Sequence, residues 1–287
     1  MHQKGFVLSL AFGLVFGVAA VAETVTWIGA SSTSADWSAP GNWKDESDVN
    51  RIPGPNDIAH IENCHSRLDV DISVSGISYN GFTRTLAASD PRPTITLGSD
   101  GIKMVGYDTS RIWTIDTHIA LSTDVVWSIG PGHIRINSAL GGDSIISGNA
   151  RIIKQGSGRL SLRGAHTFSF SGGIDVQSGE LRVRDNSNLG AGKLTLRDNT
   201  VFNLDGGQSA LPFPNDLELA GSIQFGTGRA DRAITFDGGN ITLLGNATLA
   251  LSATDLLLAS LTLNGNIGDG DNGYGLNIRL PVMLSST

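Results

Sequence analysis

Four arginines set the chemistry this chain can present at a surface. Arg159 and Arg163 flank Leu160 and Leu162, and Arg182 and Arg184 flank Val183. Alternate side chains of an extended strand point to opposite faces, so these arginines take the face that the apolar residues leave. Between Arg151 and Arg197 stand eight basic residues (Arg151, Lys154, Arg159, Arg163, Arg182, Arg184, Lys193, Arg197) against three acids, Asp175, Glu180 and Asp185. A local excess of +5 in an acidic chain would suit docking onto polysaccharide, anionic cell-surface glycans or lipopolysaccharide. The plainer reading is a solvated face with incidental charge.

Three tryptophans, Trp27, Trp37 and Trp43, fall within one short stretch. Exposed, they could stack on sugar rings, as in a carbohydrate-binding module. Large aromatics more often fill a core, and an end cap has few other residues to bury. The run GDGDNGYG (268–275) supplies hard oxygens for calcium, but no Glu stands at the twelfth position of a calcium loop. A plain turn explains its Gly, Asn and Asp equally well. His60, Cys64 and His65 lie close together without the second ligand pair of a zinc site. No metal or other cofactor is expected.

Catalytic motifs are scarce. The sequence has no G-x-S-x-G, H-E-x-x-H or Walker loop. Asp69 and Asp71, two apart and expected on one strand face, are the nearest approach to the clustered carboxylates of a polysaccharide-active β-helix enzyme. The expectation is therefore a protein without catalysis, and that enzyme is its rival.

The elements that must position these residues are short strands. Apolar residues two apart recur through the chain, as in Ile95/Leu97, Ile119/Leu121, Ile134/Ile136, Leu160/Leu162, Ile174/Val176, Leu181/Val183, Leu194/Leu196, Leu217/Leu219 and Leu261/Leu263. Period two buries one face of each strand. Gly, Asn and Asp punctuate the pairs and supply positive φ at the corners. No long helical period follows residue 22. A sandwich or barrel would fit this pattern, but the similar size of the inward pairs and the short turns favour a right-handed parallel β-helix, stacked rung on rung. Leu160, Leu162, Ile174, Val176, Leu181, Val183, Leu194 and Leu196 are expected inside.

Composition bounds the rest. The 287 residues include 37 glycines, 16% charged residues and 40% hydrophobic residues, enough for a core. The formal net charge is −7, which argues against nucleic acid as a partner. Residues 1–22 read as a secretory signal: Lys4, then the apolar Gly5 to Val18, then the small-x-small site Ala20-Val21-Ala22. That apolar run is shorter than the roughly 20 residues of a spanning helix, and no later segment could cross a membrane as a helix. Cys64 is the single cysteine, so no internal disulfide forms.

One segment carries a family resemblance. Lys154, Gly156, Gly158, Leu160, Leu162, Gly164, Thr167, Phe168, Gly172, Gly173, Ile174, Val176, Gly179, Leu181 and Val183 resemble the autotransporter-associated β-strand repeat. The sequel Leu189, Gly190, Gly192, Leu194 and Leu196 extends the likeness to about residue 196. The resemblance implies a β-helical passenger protein, extracellular or at the outer cell surface of a Gram-negative-type bacterium, structural or adhesin-like in role. The order Trp27, Gly29, Trp37, Asn42, Trp43, Pro53 and Asp57 is similar to the start of such passengers and implies an N-terminal cap. The expected organisation is a signal peptide at 1–22, a Trp-containing cap at 23–65 and a solenoid at 66–287. The large barrel that defines autotransporters does not appear before Thr287. This implies a short secreted relative, part of a longer product, or a separate translocator. An uncapped last rung would invite self-association.

Overall fold

The structure is a computed structural model that describes residues 22–29, 35–62, 65–106, 108–137, 146–163, 168–184, 186–204, 212–228, 232–279 and 282–285. The expected signal peptide, apart from Ala22, and also Cys64, Gly164, Thr167 and Asp185, lie outside the described residues. Among the described residues there is no α-helix, and 24 strands join in one sheet. Among the described residues every pairing between strands is parallel except one: Trp43–Lys44 runs antiparallel to Glu23–Trp27. The chain winds as a parallel β-solenoid. A residue meets its partner one coil later, as Ile58 meets Gly76 and Leu86 meets Ile115.

Three ladders make the three sides. In the first, one inward line runs Val25, Ala59, Ile77, Ile102, Trp127, Lys154, Val176, Leu196, Leu219 and Leu243, each residue in register with the next. In the second, Leu86, Ile115, Ile136, Leu162, Val183 and Leu204 stack the same way. In the third, Ile95, Ile119 and Ile146 do so, and Phe213 pairs with Phe236 further along. The period-two pairs read from the sequence are these lines. Leu160, Leu162, Val176, Leu181, Val183 and Leu196 are fully buried, and Ile174 and Leu194 nearly so. Each such aliphatic side chain contributes about 1.5–3 kcal/mol by leaving water.

Glycine makes the corners. Gly156 has φ +80°, and a Cβ there would lie 2.2 Å from the Ile129 carbonyl oxygen of the coil before. Any side chain would therefore force the coils apart. Aspartates hold other corners, a device the sequence pattern does not reveal. The carboxylates of Asp71, Asp124 and Asp198 each accept a backbone N–H of the next coil, from Thr94 (2.8 Å), Arg151 (2.7 Å) and Ser222 (2.7 Å). At these positions the carboxylate takes the place of water as the partner of a backbone donor.

The tryptophan segment sits at the start of the solenoid. Glu23–Trp27 and Asp57–Glu62 are already successive rungs of the first ladder, and the Trp37/Trp43 segment is inserted between them. Trp43–Lys44 covers the edge of Glu23–Trp27 that Asp57–Glu62 leaves open. Trp27, Trp37 and Trp43 are 4%, 0% and 0% exposed. Trp43 meets Trp27 and Trp37 edge to face, with centroids 4.9 and 5.0 Å apart.

Candidate surface site

The site lies on the outer side of the second ladder. Inward Ile134, Leu160 and Leu181 fix the register, so their neighbours must point out. His133, Arg159 and Glu180 fall in one outward line, and Arg135, Ser161, Arg182 and Asn203 in another. Arg163 lies on the strand of Arg159, and Arg184 follows Val183 one coil later, its N–H bonded to the Leu162 carbonyl. All four arginines singled out in the sequence therefore occupy two neighbouring rungs, which sheet geometry sets about 4.8 Å apart.

Glu180 sits at the centre. Its carboxylate accepts from Arg159 Nε (2.6 Å), Arg182 Nε (2.9 Å) and Asn203 Nδ2 (2.7 Å). Burial pushes this carboxyl up, but the Asn203 hydrogen bond and the Arg182 and Arg159 charges outweigh it and hold it below its usual range. His133 is 7% exposed, and its Nε2 lies 2.6 Å from Ser161 Oγ. Burial, with the charges of Arg135, Arg159 and Arg182, pushes the imidazole down to about 3, so it is neutral. Beside these residues is a cavity of about 240 Å³, lined among others by Thr109, His133, Ser157, Arg159 and Glu180.

The basic excess counted along the sequence shrinks when the chain coils. Lys154 does not face out at all: it is fully buried in the first ladder, between Trp127 and Val176. Its Nζ donates to the carbonyls of Gly156 (2.7 Å), Ser178 (2.8 Å) and Gln155 (3.2 Å), tying one corner to the next. Burial pushes this ammonium down to about 7, with the Glu180 charge pulling weakly the other way. Arg197 pairs with Asp175 (2.7 Å), and coiling brings Glu218 within 3.0 Å of Lys193. The face that remains is mixed rather than uniformly basic.

The other chemical groupings do not come together as sites. Asp69 and Asp71 lie in the turn after Ser66–Leu68, not on a strand. Asp69 accepts the Ser38 N–H (3.0 Å) and Asp71 that of Thr94, so both act as backbone caps. His60 lies 3.2 Å from Glu62. In GDGDNGYG, Asp269 accepts the N–H groups of Asp271 (3.0 Å) and Tyr274 (2.8 Å), and so closes an exposed turn. Among the described residues no three His, Cys, Asp or Glu side chains gather as metal ligands. The buried tryptophans present no open faces for sugar.

Fold and site together define a parallel β-solenoid with a polar, partly neutralised outer face. Residues 152–183 match the family model described as passenger-associated-transport-repeat. The chain thus carries a repeat of the autotransporter passenger type, and the matched segment spans Lys154, the glycine corners and the Arg159, Arg163 and Arg182 positions. No curated protein and no solved structure matches the chain.

Proposed function

We propose that the chain is an exported passenger that works as a non-catalytic scaffold at the outer surface of a Gram-negative-type bacterium, where it is structural or adhesin-like. The observation that carries this reading is the inward line from Val25 to Leu243. It is continuous through ten rungs, so outward side chains repeat at a fixed spacing along a stiff rod. The passenger-type repeat at 152–183 supports the address. The test is expression of the full chain with a central epitope in a Gram-negative host. Mature protein beginning at Glu23, found in the medium or digested by protease added to intact cells, is the expected result. Intact precursor in the cytoplasm would refute it.

A second reading is docking onto anionic glycans, favoured by the grouping of Arg159, Arg163, Arg182 and Arg184 on two neighbouring rungs. Glu180 neutralises part of that charge, at Arg159 and Arg182. Binding to a sulfated glycan should weaken steeply with salt and fall in Arg163→Gln/Arg184→Gln. Binding indifferent to salt and to those changes would refute the reading.

A further inference from the structure

One corner of the solenoid, between the first and second ladders, brings several chemically active side chains together. It can be followed coil by coil. Phe82 lies in the turn before Arg84–Ala88 and is 53% exposed, unusual for so large an apolar group. The Arg111 guanidinium of the next coil lies over its ring, the guanidinium carbon 4.2 Å from the centroid. Thr83 Oγ1, beside Phe82, accepts the Ile112 N–H at 3.2 Å. The Arg111 carbonyl accepts the His133 N–H (2.9 Å), and Gly132 O accepts the Arg159 N–H (2.8 Å). Gly158 O accepts the Glu180 N–H (3.2 Å). Phe82, Arg111, His133, Arg159 and Glu180 therefore lie along one edge, a rung apart. The 240 Å³ cavity opens on that edge, about two rungs, or roughly 10 Å, from the aromatic ring.

We propose that this corner groove binds a neutral oligosaccharide, with Phe82 as the stacking platform and the Thr109–Ser157–Arg159–Glu180 cavity as a sugar subsite. The proposal rests on the surface-scaffold reading. Three features select this ligand. An aromatic face offers apolar contact to the C–H face of a pyranose, and the cation on Phe82 fixes the ring in place. Arg159 and Glu180 set donors and acceptors side by side, as a pair of vicinal hydroxyls requires. The guanidinium has five donors, of which Glu180 takes the one on Nε, and the carboxylate has about four acceptor sites, of which three are occupied. Finally, within the lining Arg159 and Glu180 offset each other in charge and His133 is neutral, so the cavity wall itself carries no net charge. The hydroxyls of Thr109 and Ser157 complete a lining that is polar and uncharged overall.

The experiment uses the secreted full-length mature chain on an array of neutral oligosaccharides of glucose, galactose, mannose and xylose, with oligogalacturonate as the acidic comparison. Hits are measured by calorimetry at low and at raised NaCl. The expected result is binding to at least one neutral oligosaccharide that changes less than twofold with salt. It should fall at least tenfold in Phe82→Ala and in Thr109→Val, and persist in Arg163→Gln/Arg184→Gln. Melting curves of the two weakened variants should match the parent, because neither side chain belongs to the core. Absence of neutral binding, or equal binding by folded Phe82→Ala, would overturn the proposal. Salt-sensitive binding to oligogalacturonate alone would overturn it in favour of the arginine face. The surface-scaffold reading fails on a different readout, the location of the chain in the cell.

Discussion

Replacing Lys154 with Met tests the interior lysine directly. The side chain is fully buried in a line of apolar residues, and its ammonium has been pushed down to about 7, from about 10.4 in an unfolded chain. Between those two values the unfolded chain holds a proton that the folded chain has released. Folding stability therefore rises with pH across this window, and the cost of the buried charge is full below pH 7. From the linkage relation, moving from pH 7 to pH 9 stabilises the parent by about 2 kcal/mol through this one group. Lys154→Met lacks that gain. It also leaves the carbonyls of Gly156, Ser178 and Gln155 without the ammonium, a cost of about 1–3 kcal/mol that does not depend on pH. At pH 7 the variant is relieved of about 4 kcal/mol of ionisation cost, so it should equal or exceed the parent in stability. At pH 9 its standing relative to the parent should be worse by about 2 kcal/mol. Urea unfolding of both proteins at pH 7 and 9 measures this double difference. Parallel changes in the two proteins would refute the buried, depressed lysine.

Two further outcomes follow from the same geometry. Gly179→Ala should be destabilising by more than the fraction of a kcal/mol usual for such a change, because Gly179 has φ +76° and a Cβ would come within 2.4 Å of Gly156 O and 2.6 Å of Lys154 Nζ; a lowered melting temperature checks it. Acid should weaken the outer face, because His133 is held down to about 3 while an unfolded histidine protonates near 6.5. Stability is therefore highest above pH 6.5 and is lost as pH falls, by about 2–3 kcal/mol at pH 4.5. His133→Gln should show a flatter acid profile than the parent in the same urea titration.

The inward faces are readable because period two is a direct imprint of a half-buried strand. Leu162 and Val183 need no more than their neighbours to be placed, and Gly156 announces a corner because the Lys-x-Gly-x-Gly run has no other use in a strand. What the sequence conceals depends on contacts between coils. Lys154 counts as a surface charge in the sequence because the partners that satisfy it, the carbonyls of residues 155, 156 and 178, are backbone atoms with no sequence signature. Glu180 counts there as one of three acids against eight bases, yet register places it between Arg159 and Arg182. Asp71, Asp124 and Asp198 look like ordinary turn residues, since the N–H groups they accept come from the next coil. Phe82 and Arg111 are distant in sequence and meet only because they stand one coil apart.

The central claim is that the chain winds as one parallel solenoid, coil in register on coil. Outward Ile153, Asp175, Thr195, Glu218 and Thr242 are successive partners. Spin labels at Ile153→Cys and Thr242→Cys, in a Cys64→Ser background, therefore sit four rungs apart. At about 4.8 Å per rung this is a backbone separation of roughly 19 Å. Pulsed dipolar spectroscopy should give a single narrow distribution centred near that separation. A broad distribution, or one centred at more than about 30 Å, six rungs or beyond, would contradict the solenoid and the placement of every site built on it.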